Sequence, residues 1–226
     1  MNTFLSPAAL ARCLPFVLFM VLLAVRGQLS ESPLAGLDAR WVYGVSVLAV
    51  SGAMVWFWRR YEELIRAHWL DLRETLLSVA VGLVVFGLWI HLDHPWLTVG
   101  EATASFRPVD AEGQLQWDLI AVRWVGAALM VPVMEELFWR SFLMRWIDNP
   151  DFQKVSPRTV SFKALALSTL AFATAHTLWL AAIVAGLAYA WLYQRTGKLW
   201  APIVAHAVTN GVLGVWVVVT GNWQFW

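Results

Sequence analysis

The chain has 226 residues, 60% of them hydrophobic and 14% charged, with a formal net charge of +1. That mix excludes an ordinary soluble globular domain, and the near-zero net charge excludes a general electrostatic pull toward nucleic acid. The single cysteine, Cys13, excludes an intrachain disulfide and a cysteine zinc site.

A helix needs roughly 20 largely apolar residues to cross about 30 Å of hydrocarbon. Seven stretches meet or approach that length. The first covers 8–25. Arg12 ahead of the apolar run from Leu14 to Val25 resembles a signal peptide, but no small-x-small cleavage site follows, so a retained helix is expected. The second and third cover 41–58 and 74–90. The connection 91–117 contains Pro95, Gly100, Pro108 and Gly113 and reads as a surface loop with short interfacial pieces. The fourth stretch covers 117–134, with a helical continuation to about 147, and the others cover 162–177, 179–193 and 201–219. Between the fifth and sixth, "AHTLWLAA" has no Gly or Pro to enforce a turn, which leaves six or eight spans open beside seven. The expectation is an all-α polytopic membrane protein of about seven transmembrane helices, forming one domain over 1–226. Residues 1–116 are read as accessory helices and loop, and 117–219 as the core.

Orientation follows the positive-inside rule. A cytoplasmic N-terminus puts Arg12, then Arg59, Arg60, Arg66 and Arg73, then Arg145, Lys154, Arg158 and Lys163, then Arg195 and Lys198 on one side. The opposite connections balance their arginines against Glu31 and Asp38, and against Asp93, Glu101, Asp110 and Glu112. Trp41, Trp58, Trp89, Trp117, Trp146, Trp200 and Trp223 fall at the proposed span ends, where an amphipathic ring prefers the interface.

Six strongly polar residues remain inside the spans: Glu135, Glu136, Arg140, His176, His206 and Asn210, with Arg123 nearer a boundary. A charge there costs roughly 2.5 to 3.5 kcal/mol on insertion scales, so such residues usually pair and usually serve a function. Glu136 and Arg140 are i and i+4 and share a helix face, which predicts an ion pair. Glu135 points about 100° away and must face a wet cavity or another partner. His176 follows Phe172 by four residues and Asn210 follows His206 by four, so each pair shares a stripe. At 1.5 Å per residue, Glu135, His176 and Asn210 lie roughly 15 to 20 Å in from the Arg145, Lys163 and Trp200 ends, which predicts one pocket in the cytoplasmic half.

A carboxylate and a histidine converging on water can act as general base and orienting partner. The second histidine and Asn210 would then donate to a tetrahedral oxyanion. Glu135, His176 and His206 are also an acceptable zinc ligand set, although the compact H-E-x-x-H pattern is absent. The cofactor is therefore left open between none and zinc. Singly, either histidine is more often a packed core residue, and Asn210 more often glue between helices; Glu135, a buried acid outside the local pair, favours a site.

"EELFWR" resembles the E-E-x-x-x-R signature of the CPBP group of intramembrane proteases, which includes CAAX prenyl endopeptidases and bacteriocin-related membrane proteins. "FATAH" is similar to its F-x-x-x-H signature and "HAVTN" to its H-x-x-x-N signature. The stretch "YQRTGKLWAP" before the last motif resembles the same family, and the similarity covers about 117–219. It implies that Glu135 and His176 activate the attacking water and that His206 and Asn210 form the oxyanion hole. Glu136, Arg140 and Phe172 fill the structural positions of the motifs. The implied partners are membrane lipid and a membrane-associated protein or peptide substrate, with no nucleic acid and no stated oligomeric state. Metal dependence is disputed within the family. Trp139 and "RSFLMRW" further resemble CAAX-protease-related proteins associated with bacterial exosortase systems, which implies a bacterial inner membrane. A non-catalytic membrane scaffold or immunity-type protein of the same fold is the rival expectation. A proton-coupled transporter is a third, and no repeated halves favour it.

Overall fold

The computed structural model describes residues 6–31, 38–99 and 106–226. Gly100 and Glu101, and the side chain of Glu31, lie outside them. The described chain forms seven helices: α1 (Pro7–Glu31), α2 (Trp41–Trp56), α3 (Leu72–His91), α4 (Trp117–Asp148), α5 (Phe162–Thr174), α6 (Trp179–Thr196) and α7 (Trp200–Thr220). Four of them, α1, α3, α4 and α7, are long and apolar enough to cross a membrane. α2 and α5 are shorter apolar helices. Leu48, Val55, Leu72, Val84 and Val219 present bare apolar surface outward, as a hydrocarbon solvent favours. The chain is an all-α polytopic integral membrane protein.

Helix boundaries follow local chemistry. Asp71 and Glu74 form a reciprocal capping box at the start of α3. The Ser161 hydroxyl accepts from the Ala164 N–H at the start of α5, 3.1 Å away. Gly197 and Gly221 end α6 and α7 at φ +71° and +72°, where a side chain would be strained. The ambiguous fifth-to-sixth boundary is a real break, made by long-range bonds in place of Gly or Pro. The Val99 N–H donates to the Thr177 carbonyl at 2.9 Å, and the Ala175 N–H to that of Phe172 at 3.2 Å.

Two prolines inside helices each release a carbonyl. Pro15 cannot donate to Ala11, and the Tyr61 hydroxyl donates to the Ala11 carbonyl at 2.7 Å instead. In α4 the backbone widens to i→i+5 turns over 126–130 and 137–144, on either side of the glutamate pair. Such widening is frequent at functional positions.

α3 packs closely against α7, because a Cβ on Gly82 would come within 2.4 Å of the Ala205 carbonyl oxygen. The Thr209 hydroxyl lies 2.9 Å from the Gly82 carbonyl across that contact. Small residues and bridging hydroxyls replace the hydrophobic driving force that helices in lipid lack.

The Arg12–Arg145 end of the bundle is less simply basic than expected. Glu63, in the 57–71 connection, takes Arg12 at 2.6 Å and Arg145 at 3.3 Å, and accepts from the Ser141 hydroxyl. Arg158 donates to the last carbonyls of α6, at Arg195 and Thr196, both at 2.6 Å. Lys198 pairs with Glu74 at 2.7 Å. Several of the charges that set the expected orientation are thus structural ties.

Burial raises the Glu63 carboxyl, but the Arg12 charge and the bonds from Arg12 and Ser141 outweigh it and hold the group below its ordinary 4.5. Its contribution to stability is therefore full above that value and is lost as pH falls through the lower folded value. The melting temperature of the purified protein should drop between about pH 5 and pH 3, and Glu63→Gln should begin lower and lose this part of the slope. Because the substitution strands two buried arginines, the expected loss near neutral pH is about 3 to 5 kcal/mol.

Candidate active site

The two adjacent glutamates of α4 face different surroundings. Glu136 is fully buried, and its Oε1 accepts from Arg140 Nη1 at 3.1 Å and from His206 Nδ1 at 2.9 Å. The first bond is the predicted i,i+4 pair. The second was not legible, since 70 residues separate its partners. The Arg140 guanidinium lies 4.5 Å from the Phe172 ring centre and 5.4 Å from that of Tyr189. His206 stacks on Tyr189 with ring centres 5.0 Å apart. Glu136 therefore joins α4 to α7, while Arg140 leans on α5 and α6.

Glu135 points elsewhere, into a cavity of about 270 Å³ also lined by His176, His206 and Asn210. Its Oε2 is buried without a hydrogen-bond partner. The four residues expected to carry chemistry come from α4, the α5–α6 turn and α7 and meet on one space.

Each imidazole is tied at Nδ1. His176 Nδ1 lies 2.9 Å from the Phe172 carbonyl, which can only accept, so the proton sits on Nδ1 and neutral His176 offers a lone pair at Nε2. The Phe172 ring at 4.4 Å and the Trp89 ring at 5.7 Å hold the imidazole on two sides. Trp89, in the last turn of α3, thus also forms part of the cavity wall. His206 Nδ1–H donates to Glu136, so His206 can donate from Nε2 only as the imidazolium.

Asn210 is partly committed. The Val131 N–H reaches back to the Gly126 carbonyl, and the next residue, Pro132, has no N–H, so the Ala127 carbonyl lacks a main-chain donor. Asn210 Nδ2 fills that gap at 2.9 Å, which leaves its second amide hydrogen.

The expected depth needs correction. The cavity runs from Glu135 toward the end of the bundle that holds Tyr43 and Trp226, away from the Arg12–Glu63–Arg145 end. In the positive-inside frame that is the non-cytoplasmic half. The depth estimate for His176 assumed a helix continuing to 177; α5 ends at Thr174, and His176 lies in the turn beyond it.

Zinc finds no ready ligand shell. Among the described residues no three His, Cys, Asp or Glu side chains are grouped to hold a metal ion. Each imidazole, held at Nδ1 by an acceptor, keeps Nε2 for other partners, but Glu135, His176 and His206 are not drawn together into a ligand group as arranged.

The polar residues of this geometry lie between Trp117 and Asn210, and a comparison with protein families finds the same segment: 117–212 match the family described as type II CAAX prenyl endopeptidase, Rce1-like. This segment is similar to that family. No curated protein and no solved structure matches the chain. The match extends over Glu135, Glu136, Arg140, Phe172, His176, His206 and Asn210. Around this site the structure adds Tyr189 and Thr209, and it places Arg123 on the cavity wall. The sequence marked Arg123 as a polar residue nearer a span boundary, and its place three four-residue steps before Glu135 puts it on the same stripe.

The two glutamates should separate on stability. Glu136→Gln and Arg140→Met each break a buried pair and should cost about 3 to 5 kcal/mol. Glu135→Gln removes an unpaired charge and should leave the melting temperature unchanged or higher. Equal destabilisation by Glu135→Gln and Glu136→Gln would mean that Glu135 is a packing residue.

Proposed function

We propose that the chain is an intramembrane endopeptidase that hydrolyses a peptide bond of a membrane-associated substrate with activated water. The observation that carries this reading is the orphaned Glu135 carboxylate facing a cavity that it shares with His176, His206 and Asn210. A water between Glu135 and His176 Nε2 gives a proton to the carboxylate as its oxygen attacks the carbonyl carbon. The oxyanion that forms takes hydrogen bonds from His206 Nε2, in its imidazolium form opposite Glu136, and from the free amide hydrogen of Asn210. Collapse of the tetrahedral intermediate returns the proton from Glu135 to the leaving amine. Water remains the nucleophile throughout, so no covalent acyl intermediate forms.

We assign the protein to a bacterial cytoplasmic membrane with its N-terminus inside, and its substrates to exported or membrane-tethered chains, as the resemblance to exosortase-associated proteins suggests. The scaffold reading has less support, because a half-buried acid without a partner adds nothing to helix assembly.

The test compares peptides released from membranes carrying the wild-type or the Glu135→Gln protein, followed by cleavage of those substrates with purified enzyme. Glu135→Ala and His176→Ala should each lower kcat/KM by at least about a hundredfold. Cleavage should survive dialysis against a metal chelator. Equal product from wild type and both variants would refute the assignment, and full rescue of a deletion strain by Glu135→Gln would establish the scaffold.

A further inference from the structure

The cavity holds a second charge that hydrolysis does not use. Arg123, Ala127, Val131 and Glu135 succeed one another at four-residue steps, and all four line it. Arginine and glutamate thus stand at the two ends of one stripe of α4, roughly 18 Å apart along the axis, with only apolar side chains of that stripe between them.

Arg123 is poorly provided for. Its guanidinium lies 4.3 Å from the centre of the Tyr43 ring and 5.5 Å from that of Phe106. Those faces attract the charge but accept no in-plane hydrogen bond. Its Nε is buried without a hydrogen-bond partner, and the Tyr43 hydroxyl beside the guanidinium is a neutral neighbour that leaves the charge unmatched. Among the described residues no carboxylate pairs with Arg123. An arginine kept in a membrane-embedded bundle at such cost usually pairs within the bundle or marks a substrate or ion pathway, and Arg123 faces the cavity without such a pair. A planar fork of donors is suited to a carboxylate, which it can grip at two points.

We propose that Arg123 is an anion subsite for a carboxylate of the bound peptide, an inference that rests on the endopeptidase reading. An extended chain advances about 3.3 to 3.6 Å per residue, so the carboxylate lies about five residues from the bond at Glu135. The intervening residues are apolar, to match Ala127 and Val131. The carboxylate is either the peptide's own C-terminus or the side chain of an Asp or Glu at that spacing.

The test uses the full chain carrying Glu135→Gln in lipid nanodiscs, so that binding is read without turnover. Three dansyl-labelled apolar hexapeptides of one sequence are compared by fluorescence anisotropy: one with a free C-terminus, one amidated, and one amidated with Glu as the last residue. The free acid should bind about tenfold tighter than the amide. Recovery of affinity by the terminal Glu assigns the subsite to any carboxylate, and failure to recover it assigns the subsite to the C-terminus. Arg123→Gln should bring the acid down to the amide without weakening the amide, and Arg123→Lys should keep part of the preference. The proposal is overturned if acid and amide bind the Arg123 protein equally, if the preference survives Arg123→Gln, or if none of the peptides binds. An Arg123-dependent response to phosphatidylglycerol in the discs with no difference among the peptides overturns it in favour of a lipid headgroup. Arg123-dependent binding together with absent cleavage by the wild-type chain would instead remove the hydrolytic reading and leave the subsite standing.

Discussion

The polar interior depends on one fully buried oxygen, Glu136 Oε1, which holds Arg140 and His206 together. A lone carboxylate in hydrocarbon is unaffordable, and so is a lone guanidinium; paired and hydrogen-bonded they can be kept. The pair then does more than cancel. By accepting from His206 Nδ1 it sets which ring nitrogen faces the cavity, and through Arg140 it anchors the aromatic faces of Phe172 and Tyr189. α4, α5, α6 and α7 are located relative to one another by this junction, so the positions of His176 and His206 follow from it. Glu135 can be left without a partner because its neighbour in sequence already holds the helices in place.

The helix that carries both acids is distorted in a way that serves the site. A widened turn and Pro132 together strip the Ala127 carbonyl of its main-chain donor, and Asn210 supplies one from α7. Pro15 does the same for Ala11, with Tyr61 as the donor. In water such a carbonyl would be satisfied by solvent. In a bilayer it must be met by another part of the chain, so each proline creates a demand that only one tertiary arrangement fills. These are constraints on register between helices, and they specify packing that apolar surfaces in lipid leave loose.

Much of this was legible because membrane helices obey short-range rules. Apolar length located the seven helices, and the i,i+4 spacing separated Glu136 and Arg140 from Glu135. The bond from His206 to Glu136 was not legible, since periodicity describes a face of one helix and is silent on what that face meets. The α5–α6 break was ambiguous for the same reason: a backbone bond from residue 99 reaches it, 78 positions from Thr177. The arginines at 12 and 145 entered the sequence reading only as charges on the cytoplasmic side, whereas Glu63 neutralises them from a connection that carries its own arginines. Depth failed where a helix assumed to run straight through His176 ended two residues before it.

The two ends of the bundle consequently differ in kind. At one, Arg12, Glu63, Ser141 and Arg145 fill the space between α1, the 57–71 connection and α4 with mutually satisfied charge. At the other, the cavity rises from Glu135 past apolar side chains to Tyr43, Phe106 and the unmatched Arg123. A peptide can displace lipid from apolar walls and answer an unpaired cation, whereas entry through the ionic layer would require breaking buried pairs worth several kcal/mol. The difference in charge satisfaction therefore gives the molecule a direction of approach. On the endopeptidase reading proposed above, an extended chain would reach Glu135 from the Arg123 end, and any anionic group it carries there would be met before the bond to be cut reaches the carboxylate.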